Sequence, residues 1–278
     1  MRNTLITAIA SASLTLCLLS QAGAQDWGMR FGLHDLYVDV EESHTRGVHV
    51  GAEITYETKS KILMHGSGEI LFDNDKDELD SHHVPIWARS TYFAQRKAID
   101  CGKNLSLLWY LDAAGRWNTT SSIEKTVKIM PGIRPEFSTE NFRGGLKLVA
   151  GYYRFEIDDD VPKERGYSRD TLNNAVFGFS LGADAKVDLG KNISLYSLVQ
   201  VWRDADQWLE SRFHFEVRFD SGKLIKGSSI VLHAELNEWD LDPYANRPLE
   251  DPDYVPLLPW NDDRYLQIYI FIPFGRLN

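Results

Sequence analysis

Hydrophobic residues alternate at period two over segments as long as Phe177 to Leu189, and short and long polar links alternate between such segments. After the first two dozen residues the longest apolar run is Ile268 to Phe274, far below the ~20 residues a membrane-crossing helix needs. These observations predict an all-β chain, an up-and-down antiparallel transmembrane β-barrel of about twelve strands, within bounds of roughly ten to fourteen. Barrel strands alternate lipid-facing and lumen-facing residues, so the signal lies in the period and not in mean hydropathy.

Taken in order, the first expected strand is Met29 to Val40, where the apolar parity switches between Leu33 and Leu36 and suggests a bulge or a wrong boundary. The second carries Val48, Val50, Ala52, Ile54 and Tyr56 against His49, Gly51, Glu53, Thr55 and Glu57. Ile62 to Phe72 and Val84 to Phe93 follow, then the alternating set Leu105, Leu107, Trp109, Leu111 and Ala113. Val127 to Glu136 and Gly144 to Ile157 come next. In Phe177 to Leu189, every second residue is apolar against Gly178, Ser180, Gly182, Asp184, Lys186 and Asp188. Ile193 to Trp202, Phe213 to Phe219, Ile230 to Leu236 and Arg264 to Phe274 complete the set. Phe177 to Leu189 is long for a globular strand, which clusters near ~5 to 6 residues, and suits a tilted membrane strand of ~9 to 11. A β-sandwich would also alternate, with one face buried and one wet. Strand length, link parity and aromatics near strand ends (Trp87, Tyr92, Trp109, Trp117, Trp202, Trp208, Trp239, Tyr265) favour the barrel.

The links fall into two sets. Glu57 to Lys61, Asp100 to Asn104, Ser138 to Asn141, Gly190 to Asn192 and Asp220 to Ser228 would lie at one end. The longer, more acidic ones would lie at the other: Glu41 to Gly47, Asp73 to His83, Gly115 to Ser122, Asp158 to Asn174, Arg203 to Gln207 and Trp239 to Asp263. Gly102-Lys103-Asn104-Leu105-Ser106-Leu107 returns as Gly190-Lys191-Asn192-Ile193-Ser194-Leu195, which serves as a check on strand length.

Residues 1–24 carry one positive charge at Arg2, an apolar stretch from Leu5 to Leu19 and the ending Ala22-Gly23-Ala24, the pattern of a Sec signal peptide. Residues 25–278 are expected to form one barrel domain. The chain has 30 Lys and Arg against 40 Asp and Glu, and the leader contains no acid, so the mature region is acidic and no nucleic-acid partner is expected. Of the 2 cysteines, Cys17 follows Leu16, where a lipoprotein signal needs a small residue, and Cys101 stands alone. Neither zinc spacing nor an internal disulfide is indicated, and no cofactor or metal is expected.

On these strands and links the chain resembles the general class of twelve-stranded bacterial outer-membrane proteins, over the whole mature region and at the level of pattern. The resemblance implies integral location in the outer membrane of a Gram-negative cell after Sec export. It also implies contact with outer-membrane lipid and lipopolysaccharide, and insertion by the barrel-assembly machinery. Proteins of the class usually end on an aromatic residue; here Phe274 or Phe271 precedes Gly275-Arg276-Leu277-Asn278.

Projection of the strands places Glu53, Glu57, Glu69, Arg89, Asp112, Lys128, Arg134, Asp184, Lys186, Glu216, Arg218 and Glu235 toward the lumen, with Glu136, Asp188 and Lys147 on the same side. The expected function is a porin-like transport channel for small hydrophilic solutes, neutral or cationic because of the acidic excess. The bland reading is mutual neutralisation in a filled barrel. Two alternatives stand beside it: a lipid-modifying hydrolase using His65 and Ser67 as a His-x-Ser pair, and a non-conducting export-accessory barrel. The pair projects into the lumen without an evident orienting residue, so a non-enzyme is the favoured reading. His214, Glu216 and Arg218 beside His233, Glu235 and Asn237 could form a proton relay, a metal site or an ion pair, the last being the default. Asp73-Asn74-Asp75-Lys76-Asp77-Glu78 opens like a calcium loop but has Glu78 where glycine and Val84 where glutamate are needed, so a solvated charge run is expected. The same applies to Asp158-Asp159-Asp160 and to Asp251 and Asp253. The five-proline segment Trp239 to Asp263 is expected to fold over the outer mouth.

Overall fold

The computed structural model describes residues 24–38, 43–74, 86–117, 123–157, 173–205, 208–240 and 260–277. Twelve strands run in chain order: β1 (Ala24–Val38), β2 (Ser43–Glu57), β3 (Leu63–Asp73), β4 (Ile86–Asp100), β5 (Leu105–Trp117), β6 (Ile123–Ser138), β7 (Phe142–Ile157), β8 (Asn173–Asp188), β9 (Ile193–Arg203), β10 (Trp208–Asp220), β11 (Ser229–Asp240) and β12 (Trp260–Leu277). Each pairs antiparallel with its sequence neighbours, and β1 pairs with β12 from Gln25↔Leu277 to Val38↔Asp263, which closes the barrel. Closure leaves no free sheet edge, the requirement for backbone placed in hydrocarbon. The strands are 11 to 18 residues long.

The period now has a physical cause. Phe31, Leu33, Val48, Ile70, Trp109, Ile129, Leu148, Phe177, Leu181, Val199, Leu232 and Ile268 point outward and are exposed. The belt runs around the ring, on strands from β1 to β12, and is far too extensive for a water-facing surface. It is the lipid face, and the intervening residues turn inward.

The expected link parity is observed. The described links β2–β3, β4–β5, β6–β7, β8–β9 and β10–β11 gather at one end, with Ala24 and Leu277. The two Gly-Lys-Asn segments close with the same hydrogen bond, Cys101 N to Leu105 O at 2.9 Å and Leu189 N to Ile193 O at 2.8 Å, although Gly102 (φ 155°) and Gly190 (φ 75°) differ. Asn104 O and Asn192 O then each accept from the next hairpin, from Ser138 N and Asp220 N, both at 2.8 Å. Gly190 has φ 75°, a left-handed conformation that explains the glycine. The echo thus marks two turns at the short-turn end that share their closing and inter-hairpin hydrogen bonds.

Two readings of the sequence are corrected. The parity switch between Leu33 and Leu36 is no bulge; the ladder is regular there, and the irregularity lies at Trp27/Gly28. Leu36 turns inward and packs, fully buried, with Leu71, Trp87 and Tyr265. The aromatics near strand ends are not one interfacial girdle. Trp109 and Tyr92 are exposed outward, whereas Trp87, Trp202, Trp239 and Tyr265 are inside the barrel and buried. The expected signal segment up to residue 23, the acidic stretches beyond Asn74 and at 158–160, and nearly all of the proline-rich link lie outside the described residues.

Candidate functional site: the barrel interior

The registers put all twelve of the lumen residues expected from sequence on the inward face, as the pairs Gly51↔Glu69, Glu69↔Arg89 and Glu216↔His233 illustrate. Glu57 and Lys186 lie at the short-turn mouth and pair locally, Glu57 with Lys61 at 3.3 Å and Lys186 with Asp188 at 3.4 Å. Most of the others meet partners on strands that are not their neighbours. Arg89 on β4 binds Glu69 and reaches Glu235 on β11 at 3.4 Å. Lys128 on β6 bonds to Glu210 on β10, and Gln200 Nε2 on β9 donates to Asp112 on β5 at 3.0 Å. Arg134 is held by Glu136 and by Asp184 at 2.7 Å. Glu216 accepts from Arg218 at 3.2 Å, and Glu53 faces Arg30 at 3.6 Å. The charges therefore close on one another across the lumen.

Inward glycines make room for this. A Cβ on Gly51 would lie 2.5 Å from Arg30 Nε, and one on Gly145 would lie 2.7 Å from Arg134 Cζ. Both guanidinium groups lie across the bare backbone of an adjoining strand.

Toward the end away from the short turns, aromatic rings and cations crowd the interior. Arg116 lies between Trp87 and Trp239, its Cζ 5.6 Å from each ring centroid, and Nη2 is 2.5 Å from Asp263. Lys128 Nζ sits 3.9 Å from the Trp202 centroid, and Trp87 meets Tyr265 edge-on at 5.3 Å. Cation–π attraction grows when the cation is desolvated, as here. Beside this cluster, His34 Nε2 bonds to Asp73. Asp73 thus belongs to the barrel wall, and Asn74 Oδ1 accepts from Arg46 N at 2.8 Å, so the first two residues of the calcium-like segment are already engaged.

A cavity of about 370 Å³ remains inside, lined by Glu53, Glu69, Asp112, Glu216, Glu235 and Asp263 and by Arg30, Arg89, Arg116, Lys128, Lys147, Arg212 and Arg218, with His65, His214 and His233. The acidic excess of the whole chain does not extend to this lining, where acids and bases nearly balance. Arg30, Arg116, Glu210, Arg212 and Asp263 were missing from the sequence expectation, although each falls on the inward parity of its strand.

His65 and Ser67 face inward as projected and do not engage each other. His65 Nδ1 pairs with Thr55 Oγ1 at 3.0 Å while its ring stacks on Phe93, and Ser67 Oγ pairs with Thr91 Oγ1 at 2.8 Å. A serine activated by histidine needs that contact, and the bond to Thr91 takes its place. In the second cluster, His214 lies opposite Glu235 and Glu216 opposite His233 in the β10/β11 register, and the two imidazoles stack at 4.3 Å.

A closed ring of antiparallel strands, apolar outside and charged inside, defines an integral membrane β-barrel of the outer-membrane type. Comparison of the sequence with protein-family models and with curated proteins gives no match. Among solved structures the chain is similar to a KdgM porin in complex with disordered oligogalacturonate, at 7% identity over 88% of this chain and 99% of that one, TM-score 0.44. It is similar to a NanC porin at 9% identity over 86% and 98%, TM-score 0.46. It is also similar to the outer membrane phospholipase A from Escherichia coli at 8% identity over 88% and 92%, TM-score 0.44. Channels and an enzyme stand together at equal likeness, so the interior of this chain has to carry the functional argument.

Proposed function

We propose that the protein is a narrow outer-membrane channel for passive passage of small hydrophilic solutes, exported by Sec with cleavage after Ala24. The observation that carries the reading is the charged interior cavity. An interior filled only for stability is better served by apolar packing, because dehydrating two charges can cost more than their attraction returns. Charges of both signs beside a cavity suit water and polar solutes, which they orient across the bore. The near balance of acids and bases favours neutral solutes over cationic ones, the part of the expectation that rested on acidic excess. Glu53, Glu69, Arg89, Asp112, Lys128, Glu216, Arg218 and Glu235 would contact the solute, and Arg134 with Asp184 would hold the wall near the short-turn mouth.

Reconstitution in a planar bilayer tests this, after unheated and boiled samples migrate differently on a gel. Stable ohmic steps with little ion preference are expected. A heat-modifiable barrel that never conducts would overturn the channel and favour the non-conducting accessory role, to which the crowding of Trp87, Arg116 and Trp239 lends support.

A further inference from the structure

The geometry points to a divalent transition-metal site inside the barrel, formed by His214 on β10 and His233 and Glu235 on β11, with zinc the best-matched ion. Their ligand atoms all lie within 4.8 Å of one another. Two imidazole nitrogens and a carboxylate oxygen form a borderline donor set that suits zinc over calcium or magnesium.

Hydrogen bonding aims the donors. Gln267 Nε2 donates to Glu69 Oε2 at 3.0 Å, which fixes Gln267 Oε1 as an acceptor facing His233 Nδ1 at 2.9 Å. His233 Nδ1 therefore carries the proton, and in the neutral ring Nε2 presents its lone pair. That nitrogen is buried, has no hydrogen-bond partner and lies 3.5 Å from Glu235 Oε2. His214 Nε2 is buried and without a partner as well. Two buried ring nitrogens without hydrogen-bond partners are costly unless something binds them. A metal-bound histidine usually donates its other ring N–H to an acceptor that fixes the ring, and Gln267 Oε1 takes that place for His233.

The charges beside the site allow a cation. Glu235 Oε1 takes Asn237 Nδ2 at 2.8 Å, with Arg89 at 3.4 Å and Arg212 at 3.8 Å, while Oε2 stays turned to His233. Arg89 is also bonded to Glu69, and Arg212 faces Glu210 at 3.4 Å, so each guanidinium has a second carboxylate. Tetrahedral ligation at ~2.0–2.1 Å requires donor atoms ~3.3 Å apart, so the stacked rings tilt toward each other on binding. The three ligands leave a fourth position for water or a solute, and all of them line the cavity. The site does not depend on the barrel conducting.

The test uses full-length barrel without a polyhistidine tag, stripped with chelator and titrated with zinc chloride against a chromogenic competitor. One tightly held zinc per barrel is expected, with affinity about tenfold or more lower in H214A and in H233A. It should be unchanged in H82A/H83A, which removes the histidines of the β3–β4 link. Each variant is first checked for the heat-dependent gel shift. Anomalous scattering at the zinc edge from crystals of the unaltered protein gives an independent reading, with a peak expected between His214 and His233. No binding, binding that survives H214A/H233A, or a peak elsewhere would each overturn the site.

Discussion

Glu210 offers a direct probe of how dry the interior is. Its side chain is 0% exposed, Oε2 accepts from Lys128 and from Tyr153 OH at 2.8 Å, and Oε1 faces Arg212 at 3.4 Å. Glu210→Gln leaves Lys128, 4% exposed and wedged by Trp202, without its anion. Removing one partner of a buried pair costs about 3–5 kcal/mol, whereas a hydrated pair is worth only about 0–1 kcal/mol. Lys128→Met should cost less, because Glu210 keeps Tyr153 and Arg212. The double variant Lys128→Met/Glu210→Gln should be more stable than Glu210→Gln alone, since no lysine is then stranded. The assay is urea unfolding of the reconstituted barrel, followed by tryptophan fluorescence and by loss of the unheated gel form. A Glu210→Gln barrel within about 1 kcal/mol of the unaltered one would refute the dry setting of the Lys128–Glu210 pair and place it in bulk water.

Two further predictions concern the two faces of the wall. Leu181, outward on β8 between Leu148 and Val201, is 59% exposed, and Leu181→Arg should lower folding stability in liposomes by about 2–4 kcal/mol if it lies near the bilayer midplane; a change under about 1 kcal/mol would argue that this face meets no lipid. Ser67→Ala and His65→Ala should leave any phospholipid turnover by the purified barrel at the level of the unaltered protein, and loss of turnover in either would revive the hydrolase reading.

Period two disclosed the strands because lipid selects one face of every strand, so Phe177 to Leu189 reads cleanly while Asp184 and Lys186 fall inside. It could not separate an aromatic lying in the lipid interface from one turned into the lumen when both sit near a strand end. Trp109 and Trp87 look alike in sequence, yet one is 63% exposed and the other 2%. Apolar lumen residues such as Leu36 and Leu71 likewise look like register errors until barrel closure brings them together. Cross-lumen partners are harder still. That Lys128 meets Glu210, or Arg116 meets Asp263, depends on strand stagger and barrel width, which no local pattern encodes. The tautomer of His233 belongs to the same category, since it is set by Gln267 and Glu69 from two other strands.

In the proposed channel, Trp87, Arg116 and Trp239 would narrow a polar bore. The most direct test is single-channel current of the unaltered barrel beside Trp87→Ala/Trp239→Ala, each first shown to be heat-modifiable. The account predicts small ohmic steps for the unaltered protein and clearly larger steps once both rings that flank Arg116 are gone. Silence from both proteins, or identical steps from the two, would contradict it.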